Sequence, residues 1–250
     1  MSKSPPYVSR PWQFSLLTLM AVMLVAGVIF GLIGSVVERQ RREKLWRTNL
    51  RRIALAIHNY HDTYRCFPRA CVADKDGRPT HSWRMLVLQF VNDPQAKQLY
   101  QQYDFTQPWD SPKNLAVANH MPAVYRNPFR RDSKPTTSYM VISGPGTVFE
   151  PGRPTCIADI RDGTSNTIMV VEVVNSNTLW TEPKDLNFST IPLSINASQN
   201  GACISSAHPD GAFVVMVDGF AGLLRNDLPP DVLRWLIERD DGISVPEGPK

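Results

Sequence analysis

The chain has 250 residues, room for one sizeable domain plus an appendage. Its 27 Lys and Arg against 23 Asp and Glu leave a formal charge of +4, and much of that excess lies in one stretch, RQRREKLWRTNLRR (39–52). Such a balance argues against a nucleic-acid binder; because the basic stretch follows a long apolar run, lipid headgroups or plain solvation are its expected surroundings.

Residues 1–12, with Pro5, Pro6 and Pro11, read as a short tail. From Ser15 to Val37 the run SLLTLMAVMLVAGVIFGLIGSVV carries no charge. About twenty apolar helical residues cross a hydrocarbon core, and a cleavable signal has a shorter apolar core and a small-residue cleavage site. The expectation is a retained single-pass anchor over 13–37, with the lipid bilayer as its partner. Gly27, Gly31 and Gly34 lie at small-residue spacing, which is common in such helices. Basic residues are denser after the span (Arg39, Arg41, Arg42, Lys44, Arg47) than before it (Lys3, Arg10), so the positive-inside rule alone would place the C-terminal bulk in the cytoplasm. The four cysteines, Cys66, Cys71, Cys156 and Cys203, suit either side.

No proline or glycine interrupts the chain from Ser35 to Arg65. Leu45, Trp46, Leu50, Ile53, Ile57, Tyr60 and Tyr64 recur at spacings of three and four, the stripe of an amphipathic helix over 38–64 that continues the span and ends at Phe67-Pro68. Over 65–250 the pattern becomes strand-like and turn-rich. SWRMLVLQFV (82–91), TSYMVISG (137–144) and NTIMVVEVV (166–174) read as strands, and GAFVVMVDGFAGLL (211–224) as a hairpin turning at Asp218-Gly219. A last helix is expected over Pro230–Arg239, with Asp227 as its cap and Gly242 as its stop. The predicted fold class is α+β: a long N-terminal helix packed on a mostly antiparallel sheet.

Chemistry is sparse. His58 and His61, three apart on a helix, would share one side and could share a metal, but no third and fourth ligand stands at a fixed spacing. A hydrogen-bonded structural role is the better reading, so no metal and no cofactor is expected. ADKDGRP (73–79) opens like a calcium loop but lacks the further ligands and closing glutamate, and reads as a polar turn. RDGTSNT (161–167) is likewise a turn in which Ser165 and Asn166 can cap backbone groups. Ser143 and Ser165 lack a nucleophile elbow, and GPGT lacks the Lys of a phosphate loop. No catalytic residue is assigned, and the chain is expected not to be an enzyme.

Several stretches together resemble a bacterial family of unknown function whose members carry a prepilin-like N-terminus. They are NLRRIALAIHNYHDTYRCFP, SWRMLVL, QPWDSPKN, MPAVYRNP, TSYMVISGPGTVF and IRDGTSNTIMVVE, in that order, followed by His208, nine residues and Asp218-Gly219. The likeness runs over roughly residues 45–245. The motif positions are His58, Asn59, Tyr60, His61, Trp109, Asp110, Gly144, Gly146, Asp162, Gly163, His208, Asp218 and Gly219, and the resemblance implies structural roles for them. It also implies a pilin-like architecture, with residues 1–12 in the cytoplasm, the span in the inner (cytoplasmic) membrane and the 65–250 domain outside the cytoplasm, against the simple charge count. Where the family commonly has a cysteine after YR, this chain has Asn127, and after Asp218-Gly219 it has FAGLL in place of a polar strand.

The expected function is that of a membrane-anchored, pseudopilin-like structural or assembly protein of the cell envelope, with other pilin-like or envelope-assembly subunits as partners. The alternative is an anchored solute- or glycan-binding module, in which Trp83, Trp109 and Trp180 would line the site, although burial in the core is the favoured reading for them. In the pilin class the cut falls between Gly and Phe and a glutamate stands at the fifth mature position. Here Gln13 precedes Phe14 and Thr18 takes the glutamate's place, so cleavage is expected to fail and the tail to stay attached.

Overall fold

A computed structural model describes residues 15–129, 134–198 and 200–243; the tail and the Gln13-Phe14 junction lie outside them. The chain divides into two units, Met1–Glu43 and Lys44–Lys250, and one helix, α1 (Leu16–Tyr64), belongs to both. In the first unit its apolar side chains are exposed on every face, Leu17 at 81 % and Phe30 at 74 %. A helix apolar all round is suited to lipid. This is the one helix among the described residues long and apolar enough to cross a membrane. Charge begins at Glu38, with Glu38–Arg42 at 2.8 Å and Arg39–Glu43 at 3.0 Å bridging successive turns.

In the second unit α1 is amphipathic. Trp46, Leu50, Ile53, Ala54 and Ile57 are wholly buried, whereas Leu45 and Tyr64, two members of the expected stripe, stay exposed. The helix stops at Tyr64, before Phe67-Pro68, because Arg65 takes a left-handed backbone (φ 64°).

After α1 come the hairpin β1 (Cys71–Ala73) and β2 (Pro79–Ser82), then α2 (Trp83–Leu86), α3 (Pro94–Gln102) and α4 (Pro112–Ala118). The expected strand over 82–91 is therefore α2 followed by a 3-10 turn at Leu88–Phe90. Ser82 accepts a hydrogen bond from the Arg84 backbone N–H and starts the helix there, and the run Trp83–Met85 is buried by tertiary packing that a strand-like period does not reveal. Asp93 with Pro94, and Ser111 with Pro112, start α3 and α4 in the same way, a capping oxygen followed by proline in the first turn.

The remaining elements are β3 (Thr136–Thr137), β4 (Tyr139–Met140), β5 (Ile142–Ser143), β6 (Ile168–Glu172), β7 (Thr178–Leu179), β8 (Leu186–Asn187), β9 (Gly211–Met216), β10 (Ala221–Arg225) and α5 (Pro230–Ile237). The main sheet is antiparallel, in the order β10-β9-β6-β4. β1–β2 and β3–β7 are smaller antiparallel pairs, and β5–β8 is parallel. The fold is α+β, as expected. Every residue of β6 and β9 is buried because both faces of the sheet are covered. Phe213 and Val215 join Trp46, Leu50 and Ile53 on one face; Ala212, Val214 and Met216 join Leu233, Leu236 and Ile237 of α5 on the other.

Two expected helix signals act differently. Asp227 does not cap α5; it takes both ends of a fork from Arg225 (2.9 and 2.8 Å), and α5 starts on Pro229-Pro230 with no side-chain cap. Gly242 does not stop α5, which ends at Ile237; its N–H instead donates to Asp162.

Candidate functional site

Most of the motif positions fall into two groups, and the first is a structural junction. His58 lies on the half-buried side of α1, and its Nε2 is 2.6 Å from the carbonyl of Val217, just past β9. His61 Nε2 accepts the Ile157 N–H at 3.3 Å, and both rings pack on Phe67 (centroids 5.9 and 4.9 Å). Each histidine thus spends that ring nitrogen on backbone that a metal would have to displace. Among the described residues no group of three or more His, Cys, Asp or Glu converges as a metal site would need. Asn59 accepts the Thr63 hydroxyl on its carbonyl, and Tyr60 packs on Tyr64 at 4.5 Å.

The same junction gathers the RDGTSNT loop and the Asp-Gly turn. Val217 N–H donates to the Thr167 carbonyl and Asp218 N–H to that of Thr164. Gly219 (φ 86°) makes the turn, while Asp218 Oδ1 accepts from Phe220 N–H. Gly163 takes φ 97°, and Asp162 accepts the N–H groups of Asp241 and Gly242 (2.8 and 2.9 Å), holding the segment after α5. His208 is not part of this junction. It lies before β9, packed on Phe213 at 5.4 Å, with Nδ1 accepting Asp210 N–H. Six extended residues span about 20 Å, so the His-x9-Asp-Gly motif marks the two ends of one buried strand and assembles no acid–base pair.

The second place is a cleft of about 300 Å³ lined by Cys71, Ser143, Gly144, Asp185, Asn187 and Ser189, among others. Gly144 is required there because a Cβ would stand 2.7 Å from that of Phe188. Gly146 (φ 75°) turns the chain after it and gives its carbonyl to Arg239. Asp185, in the wall of the cleft, forms with Arg84 a pair missed by the sequence reading. The Arg84 guanidinium is wholly buried and donates to the carbonyls of Tyr139, Glu182 and Lys184, to Ser82 Oγ, and to Asp185 Oδ1 at 2.7 Å. Asp185 Oδ1 also accepts from Trp83 Nε1 and the Val141 N–H, whereas Oδ2 is buried with no partner among the described residues. Burial pushes the Asp185 carboxyl up to about 6, with Arg84 and its other donors pulling it back, so it is charged at neutral pH. The one signal of Arg84 in the sequence is a lone arginine inside an apolar run; Asp185 sits in a loop with none.

Trp83 and Trp180 are wholly buried, with their indole N–H groups on Asp185 and on the Ala118 carbonyl. Neither presents a face to a sugar, which removes both from the expected ligand-binding set. Trp109 is half-buried beside exposed Asp110, with its backbone N–H on the Thr80 carbonyl.

Residues 47–148 match a family model described as "Protein of unknown function (DUF1559)". The match takes in His58–His61, Trp109, Asp110, Gly144 and Gly146 and stops before Asp162, His208 and Asp218. Comparison with curated proteins and with solved structures gives no match. The segment is thus similar to a bacterial domain of unknown function, joined to a helix able to cross a membrane.

Proposed function

We propose that the protein is a membrane-anchored, pseudopilin-like structural or assembly protein of the cell envelope. On this reading it is a single-pass protein of the inner membrane, it has no catalytic activity, and its 65–250 domain lies outside the cytoplasm. The observation that carries the reading is α1, a single helix whose first part is apolar on every face and whose second part supplies Trp46, Leu50, Ile53 and Ile57 to a domain core. Support comes also from where the motif residues fall: most bond to backbone and hold turns, as scaffold positions do. Lack of the assembly glutamate, with Thr18 in its place, favours a permanent anchor over a fibre subunit, since the glutamate's charge would pair with a neighbouring subunit's amino terminus in lipid.

Intact mass of the chain extracted from membranes, together with in-membrane crosslinking, tests this. The expected outcome is a chain that keeps residues 1–12 and crosslinks to envelope proteins. A chain beginning at Phe14 with a methylated amine would restore a processed pseudopilin, and a chain found in the soluble fraction would end the anchor reading.

One observation favours the alternative of an anchored solute- or glycan-binding module. The cleft beside Ser143 and Asn187 has Asp185 in its wall, and the Asp185 Oδ2 has no partner among the described residues. Binding on a glycan array that is lost in Asn187→Ala would move the assignment to that class.

A further inference from the structure

Two of the four thiols are held against each other by backbone on both sides. Phe67 N–H donates to the Thr155 carbonyl at 2.8 Å, Cys156 Sγ lies 3.1 Å from the Arg65 carbonyl oxygen, and Ile157 N–H reaches His61. The segment 155–157 therefore runs along 61–67 with Cys156 beside Cys66. Across a trans peptide a carbonyl oxygen sits close to the next residue's Cα, so Cys156 Sγ is within roughly 6 Å of the Cys66 Cα. The Cys156 sulfur thus stands about one side-chain length from the Cys66 backbone, where the two side chains can meet; the bond itself requires Cα atoms about 4.4–6.8 Å apart. Both cysteines are partly exposed, so an oxidant can reach them. The Cys66 thiol is raised, by burial first and by the Cys156 thiol second, consistent with their closeness.

The other two cysteines are placed differently. Cys71 is paired in β1 opposite Ser82 and lines the cleft, and Cys203 is wholly buried with its Sγ on the backbone of Ser198. The pair nearest in sequence, Cys66 with Cys71, has no such backbone clamp.

We propose that Cys66 and Cys156 are a disulfide-forming site that staples the C-terminal end of α1 to the loop before β6. The step is thiol–disulfide exchange. One thiolate, its proton lost to water, attacks a glutathione or protein disulfide and expels one thiolate. The second cysteine then attacks the mixed disulfide and expels the other. The two protein thiols are oxidised by two electrons, and the external disulfide is reduced to two thiols. The bond closes a loop of about ninety residues that contains β1–β5 and α2–α4, so it restricts the unfolded chain strongly. That the bond forms in the cell rests on the proposed extracytoplasmic placement; that the pair is competent does not.

The test uses the full chain in detergent, oxidised with glutathione disulfide, alkylated and digested. The expected result is a Cys66–Cys156 linked peptide and a thermal midpoint about 5–15 °C above that of the reduced protein. Cys66→Ser and Cys156→Ser should each remove the shift, and Cys71→Ser should leave it. A Cys66–Cys71 link, or no link with Cys66 and Cys156 both alkylated, overturns the proposal. Alkylation of intact cells before lysis then separates the two readings. The link found there supports both; its absence from cells, with the bond still forming in detergent, refutes the extracytoplasmic placement and leaves the disulfide site standing.

Discussion

Asp185 and Glu172 are both carboxylates shut away from solvent, and their surroundings are opposite. Asp185 faces a guanidinium at 2.7 Å, an indole N–H and a backbone N–H. Glu172, the last residue of β6, on the sheet face that meets α1, has no cation partner among the described residues; Oε2 accepts a long 3.4 Å bond from Phe213 N–H, and Oε1 is buried without a partner among them. Burial accordingly pushes Glu172 up to about 8, so it is protonated at neutral pH, whereas Asp185 is ionised. A buried acid can be kept by partnering its charge or by suppressing it, and this domain does both within one core. Both carboxyls are raised, so both contribute stability that is lost as pH rises; the window runs from 3.8 to about 6 for Asp185 and from 4.5 to about 8 for Glu172.

The largest expected effect belongs to Glu172. Its folded value lies above the ordinary 4.5, so the folded state holds a proton that the unfolded state releases. The stabilisation is whole below about pH 4.5, declines as pH rises through the interval to about 8, and is gone above it. The span corresponds to about 5 kcal/mol as an order of magnitude. Denaturant titrations of the full chain in detergent, followed by near-ultraviolet tryptophan signals, should show this slope, and Glu172→Gln should flatten it. A wild-type profile without slope from pH 5 to 8 would mean that Glu172 has partners beyond those described.

Removing the cation from the other carboxylate comes next. Arg84→Ala takes away the cation that holds Asp185 ionised and leaves a buried acid that must carry its charge unpaired or take up a proton, at an expected cost of about 3–5 kcal/mol. Arg84→Met combined with Asp185→Leu should recover most of it, because both charges then go together. If the double variant is as weak as the single one, Arg84 matters chiefly through the carbonyls of Tyr139, Glu182 and Lys184. The smallest effect is expected where burial is missing altogether. Arg225 and Asp227 pair at 2.8 Å with both side chains about 70 % exposed, and Asp227→Ala should leave the unfolding midpoint unchanged. A measurable loss would return Asp227 to the role of a cap for α5.

Local pattern determined much of this protein. The uncharged run Ser15–Val37, the uninterrupted helix to Tyr64, the hairpin at Asp218-Gly219 and the α+β class follow from periodicity, composition and turn chemistry, which act over a few residues and are written into them. Where the local signal was ambiguous, tertiary contacts decided. An apolar run such as SWRMLVLQFV has the same look in a buried helix and a buried strand, and it became α2 because Ser82 caps it and Arg84 finds acceptors from 139 to 185. The carboxylates of Asp185 and Glu172 are indistinguishable in sequence from surface acids, since burial is conferred by segments far along the chain. The same holds for the thiols: spacing draws Cys66 to Cys71, but the path of residues 155–157 along the end of α1 brings Cys156 beside it. Proximity between distant residues is a property of the folded path, and no local pattern encodes it.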